Sequence, residues 1–309
     1  MLMVVIPHFI VAFCPEYAIV WQTHSLFLKG ISGKHGVAIF CVLIGYFSSR
    51  KSYSNIPTYL IRRYLQFAIN MALVLVVYSC VDSALLHLQF VGFVKQLMNA
   101  VLESLLFNCG MNPTLWCVKD MFYGSIICFV LGNYFEMEDK RKQLGVVMGI
   151  ALFMFFANVW IAICILGVAL RLFESFEIKG RTKLIVCLLF AVAIPLLYRH
   201  GESHKTYMMQ GISCCMFMYV CMCVSALEFV KKLPGLKVLP FLGNISFYVF
   251  LWHTPINFVL KLLALDLPSW ALFCVSFSVS LVLALVQHWI NERWIKSFIK
   301  RIRIETVQP

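Results

Sequence analysis

The sequence predicts an all-α, polytopic integral membrane protein with about ten transmembrane helices, and three observations carry that prediction. Hydrophobic residues make up 61% of the 309-residue chain and charged residues only 13%, which leaves too little polar surface to dissolve a globular core. Mean hydropathy is +0.86, and apolar runs of bilayer-crossing length recur through the whole chain. The basic residues gather on alternate connections. The expected spans are about 1–20, 35–50, 60–81, 114–135, 144–157, 159–174, 183–199, 207–229, 242–264 and 269–292.

The first span opens directly on the apolar run MLMVVIPHFI. It lacks the charged, apolar, small-residue order of a cleaved signal and is expected to stay as a membrane helix, with His8 inside it after Pro7. The second begins GKHGVAIFCVLIGYF, where Gly33 and Gly36 allow another group to approach the helix start closely. Arg62 and Arg63 stand at the mouth of the third. The longest non-spanning piece, 82–113, contains the apolar stretch 90–107 broken by Lys95, Asn99 and Glu103, which predicts an interfacial or re-entrant helix. The fourth span opens NPTLWCVKD, with Pro113 near a first-turn position and Lys119 and Asp120 one to two turns inside. Residues 143–173 form one apolar stretch, split here at Asn158 because a single span would invert every later connection. In the same region Gly145 and Gly149 make a GxxxG, a pattern of close helix packing. The ninth span reads LGNISFYVFLWHTPI, with His253 well inside, Pro255 two residues on and Asn257 one turn beyond on the same face. Domain organisation follows: one transmembrane domain over 1–295 and a short basic cytoplasmic tail over 296–309.

With both termini cytoplasmic, 19 of the 26 basic residues fall on the inner side. The net charge of +12 is therefore a collar facing anionic lipid, and nucleic acid is not expected as a partner. Thirteen cysteines show no CxxC pair and no zinc-finger spacing; they read as small buried hydrophobes, with no metal implied.

Polar groups inside spans are expensive, an unpaired one costing on the order of a few kcal/mol, so they mark the candidates for chemistry. A lone intramembrane histidine is usually a structural hydrogen-bonding group, and Arg62 and Arg63 also suit an ordinary inner-surface anchor. Trp116, Trp252 and Trp289 fit an aromatic belt as well as any functional role. His24, His35, His200 and His204 fall in outer loops or at span edges and receive no role. Two histidines in two helices, with an arginine pair at a helix mouth, shift the balance toward chemistry.

Four stretches in order, GKHGVAIFCVLIGYF, IRRYLQF, NPTLWCVKDMFYG and FLGNISFYVFLWHTPI, resemble the membrane acyltransferase family 3. The resemblance covers essentially the whole chain and implies a multi-pass enzyme of the bacterial cytoplasmic (inner) membrane. Such an enzyme moves an acyl group, often acetyl from acetyl-CoA, to a hydroxyl of a surface polysaccharide or other glycan. It further implies His8 as the catalytic base and Arg62 and Arg63 as the residues that engage acyl-CoA. Trp116, His253, Asn257, Gly33 and Gly36 are implied to position the acceptor. Acyl-CoA is expected as a co-substrate, with no permanently bound cofactor and no metal. The expected partners are membrane lipids, acyl-CoA and a glycan acceptor, free or lipid-linked. The chain departs from the pattern at Gln66, where a further arginine is expected, and at Ile44-Gly45-Tyr46, which lacks a serine. The arginine expected about three turns before the first-helix histidine has no position here, so that helix reads as truncated at its start. Two rival readings stand beside this one: a transporter or flippase for a lipid-linked glycan, and a catalytically impaired member of the family. Transporters often show two comparable halves with interrupted helices, which the sequence does not display.

Overall fold

The computed structural model describes residues 2–14, 33–50, 56–108, 110, 112, 115–133, 135, 137–176, 180–197, 203–227 and 238–302. These residues form eleven helices and no strand. In chain order they are α1 (Leu2–Phe13), α2 (Gly33–Ser48), α3 (Ile56–Leu85), α4 (Phe90–Leu106), α5 (Trp116–Asn133), α6 (Lys140–Ala157), α7 (Val159–Glu174), α8 (Gly180–Leu197), α9 (His204–Ser225), α10 (Val238–Leu262) and α11 (Ser269–Arg301). Three of them, α3, α9 and α11, are long and apolar enough to cross a membrane. Residues 15–20 of the first expected span, and also His24 and His200, lie outside the described residues. The chain divides into two units: Met1–Leu28, Tyr53–Lys119 and Pro240–Pro309 form the first, Lys29–Ser52 and Asp120–Leu239 the second.

The first unit is built along α3. Ring contacts of Phe67 with Phe247 and of Tyr78 with Phe258 set α10 parallel to α3, since in both pairs the residue numbers differ by 180. Helix α11 runs the other way, because Asn70 meets Gln287 and Asn291 while Arg62 meets the carbonyls of Lys300 and Ile302. Helix α1 lies on both: Phe9 and Cys14 pack against Leu272, and His8 reaches His253.

Helix α4 turns back along α3. The Gln96 side chain donates to Asp82 at 2.5 Å and accepts from Ser83 at 2.7 Å, while the Leu105 carbonyl accepts from Tyr64, about five turns earlier on α3. The face that meets α3 carries the small, fully buried Ala100 and Ser104, which let the helices lie close, whereas Phe90 and Val91 stay exposed.

The expected tail also changes. Residues 296–301 continue α11 through a π-helical turn, Asn291–Ile295, so the helix ends at Arg301; the rest of the tail, 303–309, lies outside the described residues. No glycine or proline interrupts this stretch, and the i,i+4 pair of Glu292 with Lys296, 2.5 Å apart, supports it.

The second unit is wrapped around α7. Every residue from Val159 to Leu170 is buried, and all are apolar or glycine. Gly45 of α2 sits so close to the Cys164 backbone that a Cβ there would overlap the Cys164 carbonyl, and Gly167 stands in the same relation to the Val42 carbonyl. Gly124 of α5 rests on the Cys164 side chain and Gly211 of α9 on Ile163. Gly145 and Gly149 have no neighbour within 4 Å of an added Cβ among the described residues, so the GxxxG is not where the helices pack. Asn158 interrupts the long apolar stretch at the predicted residue. It is both the end of α6 and the cap of α7: its side-chain oxygen accepts from the backbone of Trp160 at 3.0 Å and Ile161 at 3.2 Å, and its amide donates to Asp120 at 2.7 Å.

Candidate active site

The first unit contains the polar groups with chemical potential. His8 and His253 come from helices that each carry an internal proline, Pro7 and Pro255, which removes one backbone donor and loosens the local helix. Nδ1 of His8 lies 2.7 Å from Nε2 of His253. The rings are coplanar to 4° with centroids 5.0 Å apart, a separation that matches the N···N distance plus the two ring radii. They therefore meet edge to edge along an N–H···N bond, as coplanar rings cannot stack face to face at that nitrogen contact. His253 is fully buried, its Nδ1 lies 2.6 Å from the Phe250 carbonyl, and the Thr254 hydroxyl is 3.0 Å from its Nε2. His8 is half-buried.

The arginine pair sits at the start of α3. Arg62 donates from Nε and Nη2 to the carbonyls of Lys300 and Ile302 at 3.0 to 3.3 Å, closing the end of α11; its Nη1 has no partner among the described residues. Arg63 donates to the Gln66 side chain at 3.3 Å and lies over the Phe67 ring at 4.6 Å. Gln66, standing where a further arginine was expected, thus serves as an acceptor for Arg63.

Between these groups runs a buried amide network. The Trp252 indole donates to Gln287 at 2.7 Å, Gln287 donates to the carbonyl and side chain of Asn70 at 3.0 Å each, and Asn70 donates to the Gln66 carbonyl at 2.6 Å and to Asn291 at 3.3 Å. Trp252 is therefore a buried donor rather than a member of an aromatic belt. The sequence reasoning passed over Asn70, Gln287 and Asn291, although each is an amide inside an expected span, the same signal that singled out His8.

The other expected positions divide. Asn257, one turn after His253, accepts from Ser276 at 2.6 Å and is buried. Trp116 opens α5. Gly33 and Gly36 lie in the first turn of α2 and belong to the second unit.

The described residues are helical, several of the helices are long and apolar enough to cross a membrane, and one unit carries an imidazole pair and, further along α3, a guanidinium pair, which together mark a membrane protein. Residues 1–289 match the acyltransferase domain of acyltransferase family 3, and the chain belongs to that family. It is an acyltransferase, and this decides against the transporter reading. No curated protein and no solved structure matches the chain.

Proposed function

We propose that the chain transfers an acyl group, acetyl above all, from acyl-CoA to a hydroxyl of a surface glycan, free or lipid-linked, in a bacterial inner membrane. The observation that carries this reading is the His8–His253 pair: a half-exposed imidazole held in one orientation by a buried partner. A neutral His8 takes the proton of the acceptor hydroxyl as its oxygen attacks the thioester carbonyl carbon. The carbon–oxygen bond forms, the carbon–sulfur bond breaks, and the CoA thiolate leaves as the thiol with the proton from His8. Such general base catalysis contributes about 10²–10⁴-fold.

Arg62 and Arg63 suit the CoA phosphates, since a guanidinium binds phosphate oxygens in a fork and Arg62 keeps Nη1 available. The constant offset between α3 and α10 sets His253 level with Leu73, eleven residues beyond Arg62. At about 1.5 Å per residue that is roughly 16 Å along α3, which the extended pantetheine arm of an acyl-CoA spans. Trp116 and Asn257 are acceptor-side positions in this reading.

Membranes carrying the chain, given acetyl-CoA labelled in its acetyl group, should label an extractable polysaccharide. His8→Ala should reduce that labelling at least about 10²-fold with expression unchanged. Full labelling in the variant would remove His8 as the base, and CoA binding that survives the double change Arg62→Ala, Arg63→Ala would end the phosphate role.

A further inference from the structure

We infer that His253 is a positioning residue that fixes the tautomer of His8, so that Nε2 of His8, and not Nδ1, is the basic nitrogen. The catalytic consequence rests on the acyl-transfer reading above; the tautomer itself follows from geometry. The hydrogens can be assigned from the closed end of the chain of groups. The Phe250 carbonyl only accepts, so the His253 Nδ1 that lies 2.6 Å from it carries the hydrogen. The lone pair of neutral His253 is then on Nε2, 2.7 Å from Nδ1 of His8, and His8 must donate there. Its own lone pair is left on Nε2.

The opposite assignment would set a lone pair of His253 against the carbonyl oxygen at 2.6 Å. Coplanarity to 4° points the His8 N–H along the His253 lone pair, where a hydrogen bond is strongest. The Thr254 hydroxyl, 3.0 Å away, is a second group at the same nitrogen. His253 is fully buried and cannot exchange these partners for water. Nε2 of His8 has no hydrogen-bond partner among the described residues, and the ring is half-exposed, so a hydroxyl can reach it.

In the transfer itself His253 touches no reacting atom. When Nε2 of His8 takes the hydroxyl proton, both His8 nitrogens carry hydrogen and the bond from Nδ1 to His253 becomes charge-assisted. The imidazolium is stabilised without any movement of the rings, and Nε2 then returns the proton to the departing thiolate.

The test uses the full chain in detergent with ¹⁵N-labelled histidine, the His8 signals being assigned by their loss in His8→Ala. In the wild type, Nδ1 of His8 should show a pyrrole-type shift and Nε2 a pyridine-type shift. In His253→Gln the side-chain oxygen replaces the accepting nitrogen and the pattern should persist; in His253→Leu, His8 should show both tautomers. With labelled acetyl-CoA, His253→Leu should lower kcat about 10²-fold at unchanged KM for acetyl-CoA, and His253→Gln should stay within about tenfold of wild type. A pyridine-type Nδ1 on wild-type His8 overturns the inference, as do equal losses in the two variants with the tautomer unmoved. If the Leu variant does not fold, the wild-type and Gln spectra still decide. A wild type that shows the expected tautomer yet transfers no acetyl group removes the proposed function and leaves the assignment standing.

Discussion

The two units bury their helices by opposite means. In the second, α7 is closed in by glycines and apolar side chains, so stability comes from contact distance. In the first, α3, α10 and α11 bury amides, an indole and an imidazole, and each is bonded onward to the next. Without water as a competitor, both solutions hold helices together, through close backbone approach in one case and through mutually satisfied polar groups in the other. They fail differently: the glycine contacts around α7 cannot accept an added atom, whereas the first unit cannot lose a partner. The proton-handling pair lies in the unit that already stabilises buried polarity.

Thermal midpoints in detergent can break this contrast, starting with the largest expected effect. Gly45→Ala must force α2 away from the Cys164 carbonyl and should cost about 3 kcal/mol or more, enough to lose most folded protein; an unchanged midpoint would refute the close approach. Gln287→Leu strands the Trp252 indole N–H and the Asn70 side-chain oxygen, each worth about 1–3 kcal/mol when buried unsatisfied. Adding Trp252→Phe should recover part of that loss, and a further fall would show that the indole contributes by volume instead. Asn158→Ala removes two capping bonds and one hydrogen bond to Asp120, at about 1 kcal/mol for the cap. Gly149→Ala meets nothing within 4 Å among the described residues and should raise stability by about 0.5–1 kcal/mol; a fall would mean that something else packs there.

Hydropathy and charge made the helices legible, including the break at Asn158, where an amide interrupts thirty apolar residues and the charge asymmetry demanded a turn. His8, Arg62 and Arg63 were legible as polar groups at a cost. What they touch was not: that Arg62 closes the end of α11 and that His8 meets a residue 245 positions away depend on helix neighbours that no local pattern encodes. The role of Trp252 stayed open for the same reason, because belt and buried indoles differ only in whether a partner such as Gln287 lies opposite. The return of α4 along α3 rests on Ala100 and Ser104, whose small size signals a contact only once a neighbouring helix is known. The extension of α11 went unseen because a basic stretch after an apolar one reads as a tail whether or not the helix continues.

The single-residue turn at Asn158 also constrains how the protein is made. No loop separates α6 from α7, so neither helix can move far without carrying the other, and the two fold as one hairpin. At that moment α7 still lacks α9, which is synthesised later and supplies Gly211 against Ile163. Until then that face lacks its native cover, and an uninterrupted apolar surface from Val159 to Leu170 can be shielded by any apolar neighbour without stranding a polar group.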